Sequence, residues 1–348
     1  MVKSNILSED FANIAKRYDF SALKNQSVFI TGSTGLIGSQ LVLFMDYLNQ
    51  TKDLGIKIYA LCRSEEKAKR VFADSFLHIH CVVGDVLNLP SISDSIDYVV
   101  HGASITASKE FINHAVETID IAVNGTLNLL RFANEKKVKS FVYLSSMEAF
   151  GVTDGKGQVR EEDLGYIDIS SPRSSYMESK RMCENLCACF ASEYGLNVKS
   201  IRLAQVFGVG IDYNDTRVAA YFARSVIEGT NIVLKTEGKT RRPILYSSDA
   251  ISAILTVLLK GARGNVYTAA NPETLMSIRE TAEIIVERIA FRAISLIFDI
   301  KEVPPEYAPN LNLNLNLNVD KLALLGWKPD IGLEEAYKRL IAGMKETL

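Results

Sequence analysis

Between residues 27 and 203, short apolar runs rich in β-branched side chains alternate with longer amphipathic runs, and this alternation restricts the fold more than any other feature. "SVFITG", "KIYALCR", "HIHCVVGDV", "SIDYVVHGAS", "SFVYLSS" and "VKSIRLAQVFG" read as strands. "LIGSQLVLFMDYLNQ", "SEEKAKRVFAD" and "AVETIDIAVNGTLNLLRFANEKK" read as helices, with a further long helix over 175–194 and a short amphipathic one over 8–18. Strands that are apolar on both faces and alternate with helices predict a parallel sheet covered on both sides, an α/β doubly wound fold of Rossmann type. Beyond residue 210 the alternation loosens, as a smaller α/β capping domain would. The expected organisation is a dinucleotide-binding domain over 1–210 and a substrate-binding domain over 211–348, some of whose strands return to the main sheet. At 310–318, "NLNLNLNLN" has period two and predicts a half-buried strand with Leu on one face.

Composition excludes several functions. Of 348 residues 39 are Lys or Arg and 41 Asp or Glu, so no bulk field favours nucleic acid or an anionic membrane. Five cysteines, at 62, 81, 183, 187 and 189, form no secreted disulfide pattern. The three at 183–189 lie near no histidine and read as small buried apolar residues rather than as metal ligands. The first twenty residues lack the apolar core of a signal peptide, and "ISAILTVLLK" is too short to span a bilayer. A soluble cytoplasmic protein without a metal is expected.

Two places carry chemistry. "TGSTGLIG" sets Gly32, Gly35 and Gly38 three apart between a strand and a helix. Such glycines permit a tight turn, let backbone approach a pyrophosphate and allow close helix packing, while the helix N-terminus offers free N–H groups to phosphates. Thr34, Leu36 and Ile37 belong to the same turn. The next strand ends at Arg63 rather than at an acidic residue, which leans towards the 2′-phosphate of NADP, although a solvent-facing helix start is the alternative. Asp85 and Val86 follow the third strand; the Asp85 carboxylate either reaches the adenine or caps the next segment. "YMESK" puts Tyr176 and Lys180 on one helical face, where a neighbouring ammonium would stabilise the phenolate. In "YLSSMEAFG", Ser145 and Ser146 stand at the end of a strand, the edge that lines the ligand crevice of a doubly wound sheet.

Glycine turn, serine strand and Tyr–Lys pair, in this order and with "NGTLNLL", "RLAQVFG", "RPILYSSD" and "LGWKP", resemble the extended short-chain dehydrogenase/reductase family, in particular its nucleotide-sugar epimerases, dehydratases and decarboxylases. The resemblance implies NAD or NADP as cofactor, a nucleoside-diphosphate sugar as substrate and a homodimer built through the helices nearest Asn124 and Tyr176. It implies that Tyr176 is the base, that Ser146 shares its hydrogen bond and that Lys180 holds the nicotinamide ribose. Gly102 and Ala103 would pass the cofactor, Ser104 and Asn124 would approach the substrate, and Gln205 would touch it where family members often carry Asn. Arg242 would contact the diphosphate, with Arg217 a weaker candidate.

Glu148 returns to the face of Ser146 and matches a glutamate of the family's 4,6-dehydratases and hexuronate decarboxylases. Met147, standing where the dehydratases carry an acid, has no proton to give and argues against dehydration. "SPRSSYMESKR" is similar to the decarboxylases' segment, and its Arg173 suits a carboxylate or the diphosphate. The expected activity is epimerase-type, through transient oxidation at C4, inversion and re-reduction. Alternatives are decarboxylation of a nucleoside-diphosphate hexuronate, 4,6-dehydration, NADPH-dependent reduction of a keto sugar, and a catalytically silent nucleotide-binding protein.

Overall fold

The computed structural model describes residues 4–106, 108–153, 157–300, 314–346 and 348. Its centre is a parallel sheet of seven strands: β1 (Ser27–Thr31), β2 (Lys57–Cys62), β3 (Ile79–Val83), β4 (Tyr98–His101), β5 (Ser140–Ser146), β6 (Val198–Leu203) and a late strand, Val266–Ala269. From one edge to the other they run β3, β2, β1, β4, β5, β6 and then Val266–Ala269. The order reverses between β1 and β4, which opens a crevice at their carboxyl ends.

Strand alternation feeds two apolar layers. Val28 and Ile30 of β1 face helices α1 (Asn5–Arg17), α2 (Leu36–Lys52) and Ser247–Lys260 in one cluster. Phe29 of the same strand faces the opposite cluster, with Leu129 and Leu130 of the helix Ala115–Lys136 and Cys183, Cys187 and Phe190 of the helix Ser174–Glu193. The cysteines at 183 and 187 are therefore packing residues, as expected, whereas Cys189 on the same helix is exposed.

In chain order the helices that follow are α3 (Glu65–Phe72), α4 (Ser108–Asn113), α5 (Ala115–Lys136), α6 (Ser174–Glu193), α7 (Val218–Glu228), α8 (Ser247–Lys260), α9 (Ile278–Ile284), α10 (Asp320–Ala323) and the last helix, α11 (Leu333–Lys345). Short strands β7 (Gln205–Phe207), β8 (Ile232–Leu234), β9 (Arg241–Arg242) and β10 (Ile244–Tyr246) precede β11 (Val266–Ala269). A third apolar cluster joins Phe222 of α7, Ile232 of β8 and Tyr246 of β10 to Tyr337 and Leu340 of the last helix. β7 pairs in parallel with β10. Chain after residue 210 also enters the sheet: β11 lies along β6, and α8 and Trp327 fill the first apolar cluster.

The described part of the Leu–Asn repeat follows its period only in part, since Asn316 is half-buried and Asn318 is buried. Leu315 and Leu317 are buried and Asn314 is exposed. Single bridges to Arg241 and Val159 hold the segment as extended chain rather than as a ladder. Residues 310–313 lie outside the described residues. Among the described residues no helix is long and apolar enough to cross a membrane, and no group of His, Cys, Asp and Glu suits a metal ion.

Candidate active site

The crevice starts at the glycine turn. Gly32 has φ +69, and a Cβ there would stand 2.7 Å from the Gly102 carbonyl at the end of β4. A Cβ on Gly38 would fall 2.2 Å from the Gly32 oxygen. These two glycines let the turn fold onto α2 and onto the β4 end. Gly35 is exposed and has more room, with its nearest neighbour 3.3 Å away. As the N-cap of α2 it brings no side chain to the first N–H groups of that helix. Thr34, Leu36 and Ile37 are half-buried around it.

A hydrogen-bonded chain braces this turn from below. Thr31 Oγ1 lies 2.7 Å from His101 Nδ1 and accepts from the Ala103 N–H at 3.2 Å; His101 Nε2 lies 3.0 Å from Thr126 Oγ1 on α5. Burial pushes the His101 imidazole down to about 3, with Lys180 adding to the effect, so it stays neutral and serves as a connector. Gly102, Ala103 and Ser104 are half-buried along the same wall.

Arg63, the candidate for a 2′-phosphate, is exposed just beyond β2. Of the two readings of Asp85, the structure displays the cap: its Oδ1 accepts from the amides of Leu87 at 2.8 Å and Asn88 at 3.0 Å. Val86 is buried against α5, where a Cβ on Gly125 would stand 2.5 Å from it.

The candidate pair Tyr176 and Lys180 sits where β5 meets α6. Tyr176 is buried near Ser146, whose hydroxyl opposes the upward shift of the phenol and itself accepts from the Glu148 N–H at 3.2 Å. Its ring stacks on Phe111 of α4 at 5.0 Å. Lys180, one turn on, donates to the Leu144 carbonyl at 2.8 Å and lies over the Tyr176 ring at 5.5 Å and the Tyr143 ring at 4.9 Å. Here the sequence-based electrostatics needs correction. Burial pushes the Tyr176 phenol well above the ordinary tyrosine range; Glu148 adds to this, while Ser146, Arg217 and Arg173 oppose it. Burial also pulls the Lys180 ammonium down to about 8, against Cys183 and Glu184. Lys180 meets the face of the ring rather than its oxygen, so desolvation outweighs the expected stabilisation of the phenolate.

One carboxylate, Glu148, and two guanidinium groups, Arg173 and Arg217, act on the phenol, and Arg242 interacts in turn with Glu148 and Arg173. Arg173 Nη2 donates to Glu148 Oε2 at 3.3 Å, and the Arg173 plane lies over Phe111 at 5.0 Å. Arg173 is buried, and among the described residues its Nε and Nη1 have no hydrogen-bond partner. Arg242 is half-buried with its charged end enclosed: burial lowers its pKa, Glu148 raises it and Arg173 lowers it. Arg217 is at the N-cap of α7, paired with Asp215 at 2.5 Å and about half exposed. Gln205 is half-buried on β7. Met147 points into the apolar core with Leu144 and Phe150.

Asn124 is not brought to this site. It is exposed on α5 and donates to Asp120 on the same outer face at 2.6 Å, while Ala122 and Thr126 hold the inner face against α6. Two residues away on a helix is the opposite side, which the "NGT" motif does not reveal.

Sequence reading missed three contributors. Phe111, the stacking partner of both Tyr176 and Arg173, lies in a helix with no motif to mark it. Glu184 and Arg202 form a buried pair, with Nη2 to Oε2 at 2.6 Å, and Glu184 also accepts from Ser145 at 2.5 Å. Arg202 further donates to the Glu161 carbonyl at 2.8 Å, tying the polar segment 157–170 to β6. Only the four-residue spacing of Glu184 from Lys180 was visible in the sequence.

The family model described as "NAD dependent epimerase/dehydratase family" matches residues 28–270. Among similar proteins, UDP-glucuronic acid decarboxylase 1 of Danio rerio is 26% identical over 318 residues, covering 90% of this chain and 71% of that one. The solved UDP-N-acetylglucosamine 4-epimerase of Methanobrevibacter ruminantium matches with TM-score 0.78 at 20% identity, over 93% of this chain and 100% of the other. The UDP-glucuronic acid 4-epimerase of Bacillus cereus, in complex with NAD, matches with TM-score 0.73 at 19% identity, over 92% and 99%. At these identities the two structures speak to the fold.

Proposed function

The chain belongs to the NAD-dependent epimerase/dehydratase family, and on that premise we propose that it is an epimerase-type enzyme acting on a nucleoside-diphosphate sugar by transient oxidation at C4, inversion and re-reduction. The observation that carries this reading is buried Tyr176 beside Lys180 and near Ser146 at the carboxyl end of β5, the same edge of the parallel sheet from which the glycine turn leaves β1. A dinucleotide fits the residues of that turn, because the α2 N-terminus has no side-chain cap and Gly35 leaves its approach open. When bound, the nicotinamide supplies the hydride acceptor and later the hydride donor.

The chain's own residues do the rest. Gly32, Gly35 and the amides of Leu36 and Ile37 hold the pyrophosphate, and Lys180 holds the nicotinamide ribose. Arg63, exposed beyond β2, suits a 2′-phosphate and inclines the choice towards NADP. Ser146 and Tyr176 grip the reacting hydroxyl, and Tyr176 takes its proton as the carbon is oxidised. With its pKa raised by burial, Tyr176 takes that proton only once ionised and then holds it as a weak acid; in the return step it gives the proton to the more basic alkoxide that hydride return forms. Arg242 and Arg217 hold the diphosphate through guanidinium forks.

A second reading, decarboxylation of a nucleoside-diphosphate hexuronate, is favoured by the two unpartnered N–H groups of buried Arg173 beside Glu148. A sugar carboxylate satisfies that fork. Once C4 is a ketone, the carboxylate is in the β-keto position and the electrons of the breaking C–C bond pass to the ketone oxygen. Resemblance to a UDP-glucuronic acid decarboxylase supports it.

A panel of nucleoside-diphosphate sugars, hexuronates included, incubated in deuterated water and followed by NMR tests both. Inverted C4 without gas supports the first reading, carbon dioxide from a hexuronate supports the second, and turnover by Tyr176→Phe equal to the parent's would overturn both.

A further inference from the structure

Beside the adenosine end of the crevice, Cys62 and Cys81 meet across β2 and β3 with their sulfurs 2.7 Å apart. β2 and β3 pair in parallel with Ala60 opposite Cys81, so Cys62, two residues on, shares a face with its partner. A covalent bond between sulfurs is about 2.05 Å, so the pair needs an approach of only about 0.7 Å to close. The two differ in access: Cys62 is buried in the α2 side of the core, while Cys81 is half-buried and open to a small oxidant. Lys69 of α3, paired with Glu65 at 2.6 Å, lies on the same side of the sheet edge and also interacts with Cys81.

We propose that Cys62 and Cys81 are a redox modification site: a peroxide converts them to a reversible disulfide that weakens dinucleotide binding. Cys81 thiolate attacks the peroxide; an S–O bond forms, the O–O bond breaks, and the departing oxygen leaves as water. The Cys62 thiol then gives up its proton and attacks the Cys81 sulfenic sulfur, forming S–S and releasing a second water. Each sulfur loses one electron and the peroxide gains two.

The consequence for binding rests on the dinucleotide reading above and follows from position. Cys62 is the last residue of β2 and precedes Arg63; its carbonyl accepts from the Gly84 N–H at 3.0 Å, one residue before Asp85. A cross-link draws together the strand ends that carry both groups.

The experiment treats the full chain, in a Cys189→Ser background, with stoichiometric hydrogen peroxide. Intact and peptide mass spectrometry are expected to find a protein lighter by two hydrogens, with Cys62 and Cys81 peptides joined and released by dithiothreitol. Cys81→Ala and Cys62→Ala each abolish the bridge. NAD and NADP titrations of oxidised against reduced protein are expected to show affinity weaker by about tenfold, or about 1.4 kcal/mol. A folded protein that takes up oxygen at Cys81 without bridging overturns the site. A bridged protein that binds as tightly as the reduced one overturns the coupling. Reduced protein that binds neither dinucleotide refutes the functional reading instead, while the mass readout still decides whether the bridge forms.

Discussion

Replacing Lys180 with methionine should make the protein more stable while it disables the enzyme. Lys180 is buried, and its ammonium is pulled from 10.5 down to about 8. Holding the charge at pH 7 therefore costs the folded state about 3 kcal/mol, at about 1.36 kcal/mol per pKa unit. The variant gives back part of that gain. It leaves the Leu144 carbonyl without the 2.8 Å donor and loses the contacts with the Tyr143 and Tyr176 rings. A lost hydrogen bond takes back about 1 kcal/mol, so the net gain is about 1–2 kcal/mol.

The pH dependence is the more searching test. Below pH 8 the ammonium is present in both folded and unfolded parent, and the full cost applies. Between about 8 and 10.5 the folded parent has lost its proton while the unfolded chain keeps it, so parent stability climbs with pH relative to the variant. The advantage of Lys180→Met should shrink through that window and disappear above it. Urea titrations at pH 7, 9 and 10.5 read it directly, and at neutral pH a melting-temperature rise of about 1–3 °C is expected for a chain of this length. A variant less stable than the parent at pH 7, or a difference that does not move with pH, would refute the claim that this ammonium is held against a desolvation penalty.

Other outcomes follow from the same geometry. Tyr176→Phe should lower turnover about 10²–10⁴-fold in steady-state assays with dinucleotide affinity retained. Glu184→Gln leaves the Arg202 charge buried without its partner and should cost about 3–5 kcal/mol in chemical denaturation, whereas the double change Glu184→Leu with Arg202→Met should be close to neutral. Arg173→Gln should weaken a hexuronate substrate by about 2 kcal/mol in KM while a neutral hexose changes little. Val116 and Ile119 on α5 and Met182 on α6 are exposed apolar residues, and if α5 and α6 form the proposed dimer face, Ile119→Glu should yield a monomer by light scattering.

The parts of the site visible in the sequence are those dictated by short-range geometry. Gly32 and Gly38 had to be glycine because backbone occupies the place of their Cβ atoms, and the Tyr176–Lys180 spacing is a property of any helix. The central strands β1 and β5 were legible because they are buried on both faces and read as apolar runs, while the edge strand β3 is buried only at Ile79. What stayed hidden depended on distant partners or on helical phase. Asn124 shares a motif with Gly125 but not its face, Phe111 acquires its role only when α4 lies against α6, and Arg202 finds Glu184 and the Glu161 carbonyl only in the folded sheet. Burial, which sets the protonation of Tyr176 and Lys180, is a property of the whole enclosure, and no four-residue spacing contains it.

The position of β11 bears on how the chain leaves the ribosome. Val198–Leu203 is complete long before its outer neighbour, which begins at Val266 only after α7, β8, β10 and α8 have been made. At about 5–20 residues per second, that interval leaves a row of unpaired amides and carbonyls available to other chains for roughly 3–12 s. Slow translation after residue 203, or a stop codon before residue 266, is therefore expected to show itself as aggregation of nascent protein rather than as lost activity in the mature enzyme.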